Sequence, residues 1–259
     1  MAFLYAESPR DVLAITGRDR ASFLQGMVTN DVLGLQPGQS CYTFHLDATG
    51  HVLADMYVLC LEDRLLLVTE PGMGAPLSEL LDGYLVMERA KIAPVEYQHT
   101  LVLGPYTEAE GGIWYTHPLG TGVLTEEPIA PGTAISATEL EARRIEAGIP
   151  RFGVDMDRRV LAPETGQQAR AIHYRKGCYV GQEIVARIDA RGHTNRTLVR
   201  LNLPTPVEPD TALTLDGKDV GRITSSAPAT NSDRAVALGY LRHEHSAPGT
   251  VLDNATVAP

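Results

Sequence analysis

Lys176-Gly177-Cys178-Tyr179-Val180-Gly181-Gln182-Glu183 is the stretch on which the reading of this 259-residue chain turns. It sets a thiol beside an ammonium and between two glycines. A helix is predicted to begin directly after it, over Gly181 to Asp189. A neighbouring cation and a helix N-terminus both favour the thiolate, so Lys176 is expected to lower the pKa of Cys178. Taken alone, a free cysteine in such a turn reads equally as a small side chain packing a tight corner.

Charge around this octet is unlike that of the chain as a whole. Between Arg170 and Arg200 seven Lys or Arg face only Glu183 and Asp189, whereas the full chain carries a net charge of −10. One reading is a solvated arginine-rich face; the other is a local anion site suited to a ligand with an acidic tail. The overall acidity argues against a general nucleic-acid binder, which needs cationic surface to neutralise phosphates. Three scattered cysteines, Cys41, Cys60 and Cys178, argue against a disulfide framework and fit a reducing cytoplasm. No apolar run approaches the roughly 20 residues that span a bilayer. Met1 to Arg10 carries an acid and a proline where a secretory leader would carry a basic patch and an apolar core.

Periodicity places the elements. Asp11 to Thr16 reads as a strand, followed by a helix capped by Asp19 with Phe23, Leu24 and Met27 on one face. Cys41 to Asp47, His51 to Leu61 and Arg64 to Glu70 form an expected antiparallel meander. Leu77, Leu80, Leu81, Tyr84 and Leu85 predict a helix over Ala75 to Glu88. Further strands are expected at Lys91–Tyr97 and Thr100–Leu103, and short ones inside the Gly- and Pro-rich tract Gly104 to Gly132. Thr138-Glu139-Leu140-Glu141 reads as a capping box opening a helix that Gly148 and Pro150 stop. Glu146 then falls in the last turn, where the carbonyl pole disfavours a carboxylate, so Arg143 or a donating ligand must compensate. After Arg191 the chain turns β-rich, with Asp216-Gly217 as a hairpin signal, and a small C-terminal barrel or sandwich is expected. His243-Glu244-His245 has the wrong spacing for a zinc helix and reads as a polar loop, and no metal site is expected.

The octet resembles the K-G-C-Y-x-G-Q-E signature of the YgfZ family, folate-binding relatives of the glycine-cleavage T-protein. The likeness extends in order along the chain. Phe23-Leu24-Gln25-Gly26-Met27-Val28-Thr29-Asn30-Asp31-Val32 is similar to the family's F-L-Q-G-x-x-T-N-D-V segment. Glu141 to Pro150 is similar to its A-R-x-x-x-E-x-G-I-P helix, and Val220 to Ser226 with Ala237 to Tyr240 to its C-terminal barrel. The resemblance implies an α+β, T-protein-like, multi-lobed folate-binding fold with a C-terminal β-barrel. It divides the chain into a folate-binding domain over 1–190 and a barrel over 191–259.

What the resemblance implies for function is specific. Tetrahydrofolate, or a one-carbon derivative of it, is the expected cofactor. Glu146 would grip the donor edge of the pterin, since a carboxylate accepts two parallel hydrogen bonds. Asp55, Tyr179, Gln182 and Arg187 join Glu146 as cofactor-binding residues, and Cys178 and Lys176 are the catalytic candidates. Pro76 stands where T-proteins carry the aspartate that assists aminomethyl transfer, which disfavours that reaction. The expected role is a cytoplasmic accessory protein that supports iron–sulfur cluster assembly or repair and, through it, tRNA modification. Its partners would be iron–sulfur proteins or cluster-assembly machinery, without direct nucleic-acid binding. A folate-dependent aminomethyltransferase or demethylase and a non-catalytic folate-sensing module are the two alternatives.

Overall fold

The computed structural model describes residues 3–106 and 111–259, so the tract over Gly104 to Gly132 lies partly outside the described residues, as does the start of the N-terminal stretch read for a leader. The chain forms two compact units, one of Met1–Ala134 with Gln167–Ala186, the other of Ile135–Gly166 with Arg187–Pro259. The chain therefore leaves the first unit, enters the second and returns before leaving again.

Among the described residues, ten strands belong to the first unit: β1 (Phe3–Glu7), β2 (Asp11–Thr16), β3 (Ser40–Leu46), β4 (Val52–Cys60), β5 (Arg64–Thr69), β6 (Lys91–Val95), β7 (Gln98–Leu103), β8 (Ile113–His117), β9 (Gly120–Thr125) and β10 (Gly132–Ala134). They make two five-stranded sheets, β3-β4-β5-β2-β6 and β10-β1-β7-β9-β8. Every neighbour pair in the first sheet is antiparallel, and β1–β10 is a parallel pair in the second. β2 reads as an almost unbroken apolar run because both of its faces are covered. Leu13 and Ile15 pack with Phe23, Leu24, Leu77 and Leu81 of the helices α1 (Arg20–Met27) and α2 (Gly74–Asp82). Val12 and Ala14 pack with Tyr115 and Leu124 of the other sheet. Each such leucine or isoleucine contributes on the order of 1.5–3 kcal/mol by leaving water.

The meander appears where the sequence places it, within one or two residues at each strand end. The helix ends differ. Asp19 does not cap α1 through its side chain; its carboxylate accepts from the Arg89 amide instead, 2.8 Å away. α2 stops at Asp82, ahead of Gly83, and the pattern that carried the prediction on to Glu88 comes from Leu85, which packs on the same core from a turn. β1, β10 and the four-residue helix α4 (Gln168–Ala171) were not foreseen, since short segments carry little periodicity.

The second unit holds α3 (Ala137–Glu146) and the strands β11 (Arg196–Leu203), β12 (Ala212–Leu215), β13 (Lys218–Pro228), β14 (Ala235–Arg242) and β15 (Thr256–Val257). Its antiparallel sheet runs β12-β13-β14-β11-β15 and curls into a half-barrel. Asp216 and Gly217 both take positive φ, as a two-residue turn between β12 and β13 requires. The Asp253 amide donates to Thr214 and the Asn254 side chain to Ala212, which draws the chain before β15 against β12. Ser136, not Thr138, caps α3 by accepting from the Glu139 amide. The helix α5 (Gln182–Arg191) passes from the first unit into the second.

Asp155 organises this second unit. Its buried carboxylate accepts from Arg144 at 2.6 Å, from the Arg151 amide at 3.0 Å, and from Thr224 and Ser225 of β13 at 2.6 and 2.7 Å. Four donors on one carboxylate tie α3 and the chain after it to the sheet. Removing the acceptor leaves the buried Arg144 short of a partner, so Asp155→Ala is expected to lose about 3–5 kcal/mol in urea unfolding. A loss under about 1 kcal/mol would show that the remaining partners of Arg144, with Glu141 as the other carboxylate, suffice.

Candidate functional site

The octet forms a partly exposed loop and the first two residues of α5. Cys178 is exposed and unbonded, and Tyr179 beside it is buried. Gly181 holds φ near +82°, and a Cβ there would stand 2.5 Å from the Asp47 carbonyl, so the motif needs glycine twice over. Lys176 turns inward. Its ammonium donates to the carbonyls of Gln25, Val28 and Asn30 at 2.6, 2.6 and 2.7 Å. It also sits 5.1 Å from the centre of the Tyr179 ring. Burial pushes its pKa down to about 8, with Asp31 and Cys41 acting in the opposite direction.

The three carbonyls belong to the F-L-Q-G-M-V-T-N-D-V segment, so the two most distinctive motifs of the chain meet. The Val180 amide donates to Gly26, the His173 amide to Thr29, and the Thr29 hydroxyl to the Ala171 carbonyl. The Asn30 side chain donates to the carbonyls of both Tyr42 and Arg170, each at 2.8 Å. Gln25 closes the same segment by accepting from the Val32 amide and donating to Asp31.

Through Tyr42 this arrangement reaches Asp55. The Tyr42 hydroxyl donates to one Asp55 oxygen at 2.8 Å, while the other, Oδ1, is buried with no hydrogen-bond partner among the described residues. Asp55 shares its face of β4 with Tyr57, whose ring lies 5.1 Å from Tyr42, 4.5 Å from Tyr115 and 5.7 Å from His117. Arg170 stacks 3.7 Å from the centre of the Tyr42 ring and donates to the Tyr57 hydroxyl. Arg10 and Glu70 form an ion pair nearby. Burial, then the charge of Glu70, pushes the Asp55 carboxyl up to about 6, against the pull of Tyr42, Arg10 and Arg170. Burial and the charge of Arg10 hold His99 and His117 at about 3, hence neutral. Asp55 is thus buried on β4 and does not face solvent at an edge. Of its neighbours Tyr42, Tyr57, Arg10 and Arg170, only Arg170 carried a sequence signal, as one of the cations counted between Arg170 and Arg200.

Glu146 and Arg187 lie in the second unit. The Glu146 carboxylate accepts from the Thr230 amide at 2.7 Å and from the Thr230 hydroxyl at 2.9 and 2.8 Å. Its carbonyl accepts from Arg200. Thr230 and Arg200, rather than Arg143, thus offset the acid at the carbonyl pole of α3, because Arg143 is paired with Glu139. Several cations of the basic segment are likewise engaged: Arg170 with two tyrosines, Lys176 with carbonyls, Arg196 with Glu164. Gln182 opens α5, its amide donating to the Tyr179 carbonyl, and Arg187 is an exposed residue of the same helix. His243-Glu244-His245 forms one turn of 3-10 helix, with His243 stacked on His193.

Comparison with known proteins agrees with this frame. Residues 8–109 match the GCVT N-terminal domain and residues 196–256 the glycine cleavage T-protein C-terminal barrel domain. A chloroplastic protein of Arabidopsis thaliana is 25% identical over 93% of the chain, which spans 65% of that relative's length. The mitochondrial aminomethyltransferase of Gallus gallus is 25% identical over 92% of the chain and 74% of its own. The tRNA-modifying protein YgfZ of Escherichia coli O157:H7 is 27% identical over 71% of the chain and 67% of its own. The crystal structure of the glycine cleavage system aminomethyltransferase T from Bartonella henselae superposes with a TM-score of 0.87 at 16% identity, covering all of this chain and 85% of that one, which establishes the α+β T-protein-like fold. The chain belongs to the glycine cleavage T-protein-like family, as a YgfZ-type member. Among the described residues no helix is long and apolar enough to cross a membrane.

The raised Asp55 pKa has a measurable consequence. Between pH ~4 and ~6 the folded protein keeps a proton that the unfolded chain has released, so the contribution of this group falls as pH rises through that window. Asp55→Asn removes the ionisation and keeps the shape. Relative to wild type, it is expected to gain about 2 kcal/mol in urea unfolding at pH 7.5 compared with pH 4.5. Equal pH dependence in the two proteins would refute the assignment.

Proposed function

We propose that this protein binds a reduced folate, tetrahydrofolate or a one-carbon derivative, and acts as an accessory factor in tRNA modification through iron–sulfur cluster assembly or repair. The observation that carries the folate reading is the buried Oδ1 of Asp55, without a hydrogen-bond partner among the described residues and set beside Tyr42 and Tyr57, against which Tyr115 packs. An unmatched acceptor among aromatic rings suits a flat heterocycle that brings N–H donors, and a pterin is such a group. Glu146 is the second proposed acceptor. Thr230 holds its carboxylate in place while lone pairs remain for the 2-amino and N3–H edge of a pterin. Tyr179, Gln182 and Arg187 are proposed as further cofactor contacts. The tRNA-modification and iron–sulfur roles are taken over from the YgfZ-type likeness, and a cytoplasmic location goes with them. Cys178 is the proposed reactive group, as an exposed thiol for sulfur or redox handling.

Aminomethyl transfer is the weaker reading. Pro76 occupies the position where the family pattern has its aspartate, and Glu70, several residues earlier, is paired with Arg10.

Isothermal titration of tetrahydrofolate into wild type, Glu146→Ala and Asp55→Ala tests the reading. Wild type is expected to bind, and each variant to bind at least ~10-fold more weakly, the loss of one charged hydrogen-bond acceptor. Absence of binding by wild type would end the folate proposal. Unchanged affinity in one variant would remove that carboxylate from it. A Cys178→Ala protein that fully complements a deletion strain would remove the thiol.

A further inference from the structure

We propose that Lys176 is a positioning residue for Cys178, acting as a C-terminal cap supplied in trans to α1 rather than as an activator of the thiol. A lysine ammonium has three N–H donors and no acceptor. All three are engaged, by the carbonyls of Gln25, Val28 and Asn30. No donor is left to stabilise a Cys178 thiolate or to bind a ligand.

The acceptors explain the choice of a compact cation. Gln25 lies in the last turn of α1, Val28 is its C-cap, and Asn30 follows two residues later. The final carbonyls of a helix lack intrahelical partners and form its negative pole, where a cation is favoured. α1 has no basic residue of its own in the last turn. Lys176, 148 residues from Val28 in sequence, supplies one. The carbonyls converge from three directions on one point, which suits an ammonium and not a planar guanidinium.

The chain on either side of Lys176 is fastened to the same segment. His173 donates to the Thr29 carbonyl at 3.0 Å, and Val180 to the Gly26 carbonyl at 3.2 Å. Cys178 lies between these two points, on the exposed part of the span. Its place therefore depends on three attachments, of which the ammonium is the strongest because its hydrogen bonds are charge-assisted. This role is independent of which ligand the protein binds.

The test combines amide hydrogen exchange with alkylation of Cys178 by iodoacetamide across pH, followed by mass spectrometry. In Lys176→Met the His173 and Val180 amides are expected to exchange at least ~10-fold faster, while the Leu66 amide in the core is unchanged. The midpoint of the alkylation profile is expected to stay where it is in wild type. Lys176→Arg keeps the charge but not the three-way geometry, and is expected to loosen the same two amides by a smaller factor. In Lys176→Ala, added n-propylammonium should restore their protection where equal sodium chloride does not. Wild-type protection of both amides in Lys176→Met or Lys176→Arg would overturn the proposal. So would an alkylation midpoint moved up by about one unit in Lys176→Met and restored in Lys176→Arg, the behaviour of an activating charge.

Discussion

One half-buried ammonium joins the two segments of the first unit. The chain leaves that unit at Ala134 and comes back at Gln167, and nothing covalent holds the returning segment against the loop after α1. The attachment is made by Lys176 on three carbonyls, by Thr29 and Asn30 on the carbonyls of Ala171 and Arg170, and by two amides of the returning chain. All of these bonds have backbone carbonyls as acceptors, so they depend on where the chain runs more than on which side chains line it. The few side chains that must be right are those of the two motifs, and each has a geometric task. Gly181 permits a close approach to Asp47, Asn30 bridges two strands of chain, and Lys176 neutralises a helix pole.

Asp55 lies at the other end of the same network. Its strand is buried on both faces, with Ala54, Met56 and Val58 toward the helices and Tyr57 and Leu59 toward the second sheet. A carboxylate in such a strand is costly unless it is paired, protonated or bonded. Here one oxygen is bonded to Tyr42, the proton is retained to about pH 6, and the other oxygen is left unmatched. Groups of this kind concentrate at functional sites, where the missing partner is often the ligand. Asp155 in the second unit is the instructive contrast. It is just as buried, but four donors meet its needs, and its role is to hold the unit together.

Element type was legible wherever a run was long enough to show its period or was punctuated by strong turn residues. The meander, α3 and the Asp216-Gly217 hairpin belong to this group. Ends were less legible, because they depend on partners remote in sequence. Ser136 rather than Thr138 caps α3, Asp19 turns to Arg89, and Leu85 joins the core without being helical. The acid at the end of α3 was recognised as needing compensation, yet Thr230 and Arg200 could not be named, since neither lies within a helical turn of it.

By itself, the order of residues determined the family, the α+β class, and the two motifs that matter most, because these are written in contiguous stretches. Only the tertiary structure decided what those motifs do. It faced Lys176 inward to the carbonyls and left Cys178 outward. It buried Asp55 beside Tyr42 and Tyr57, against which Tyr115 of the second sheet packs. The physical reason is that a local pattern fixes which face of a strand or helix is apolar. The charge state and hydrogen-bond partners of a buried polar group are set by whatever distant chain is packed against that face.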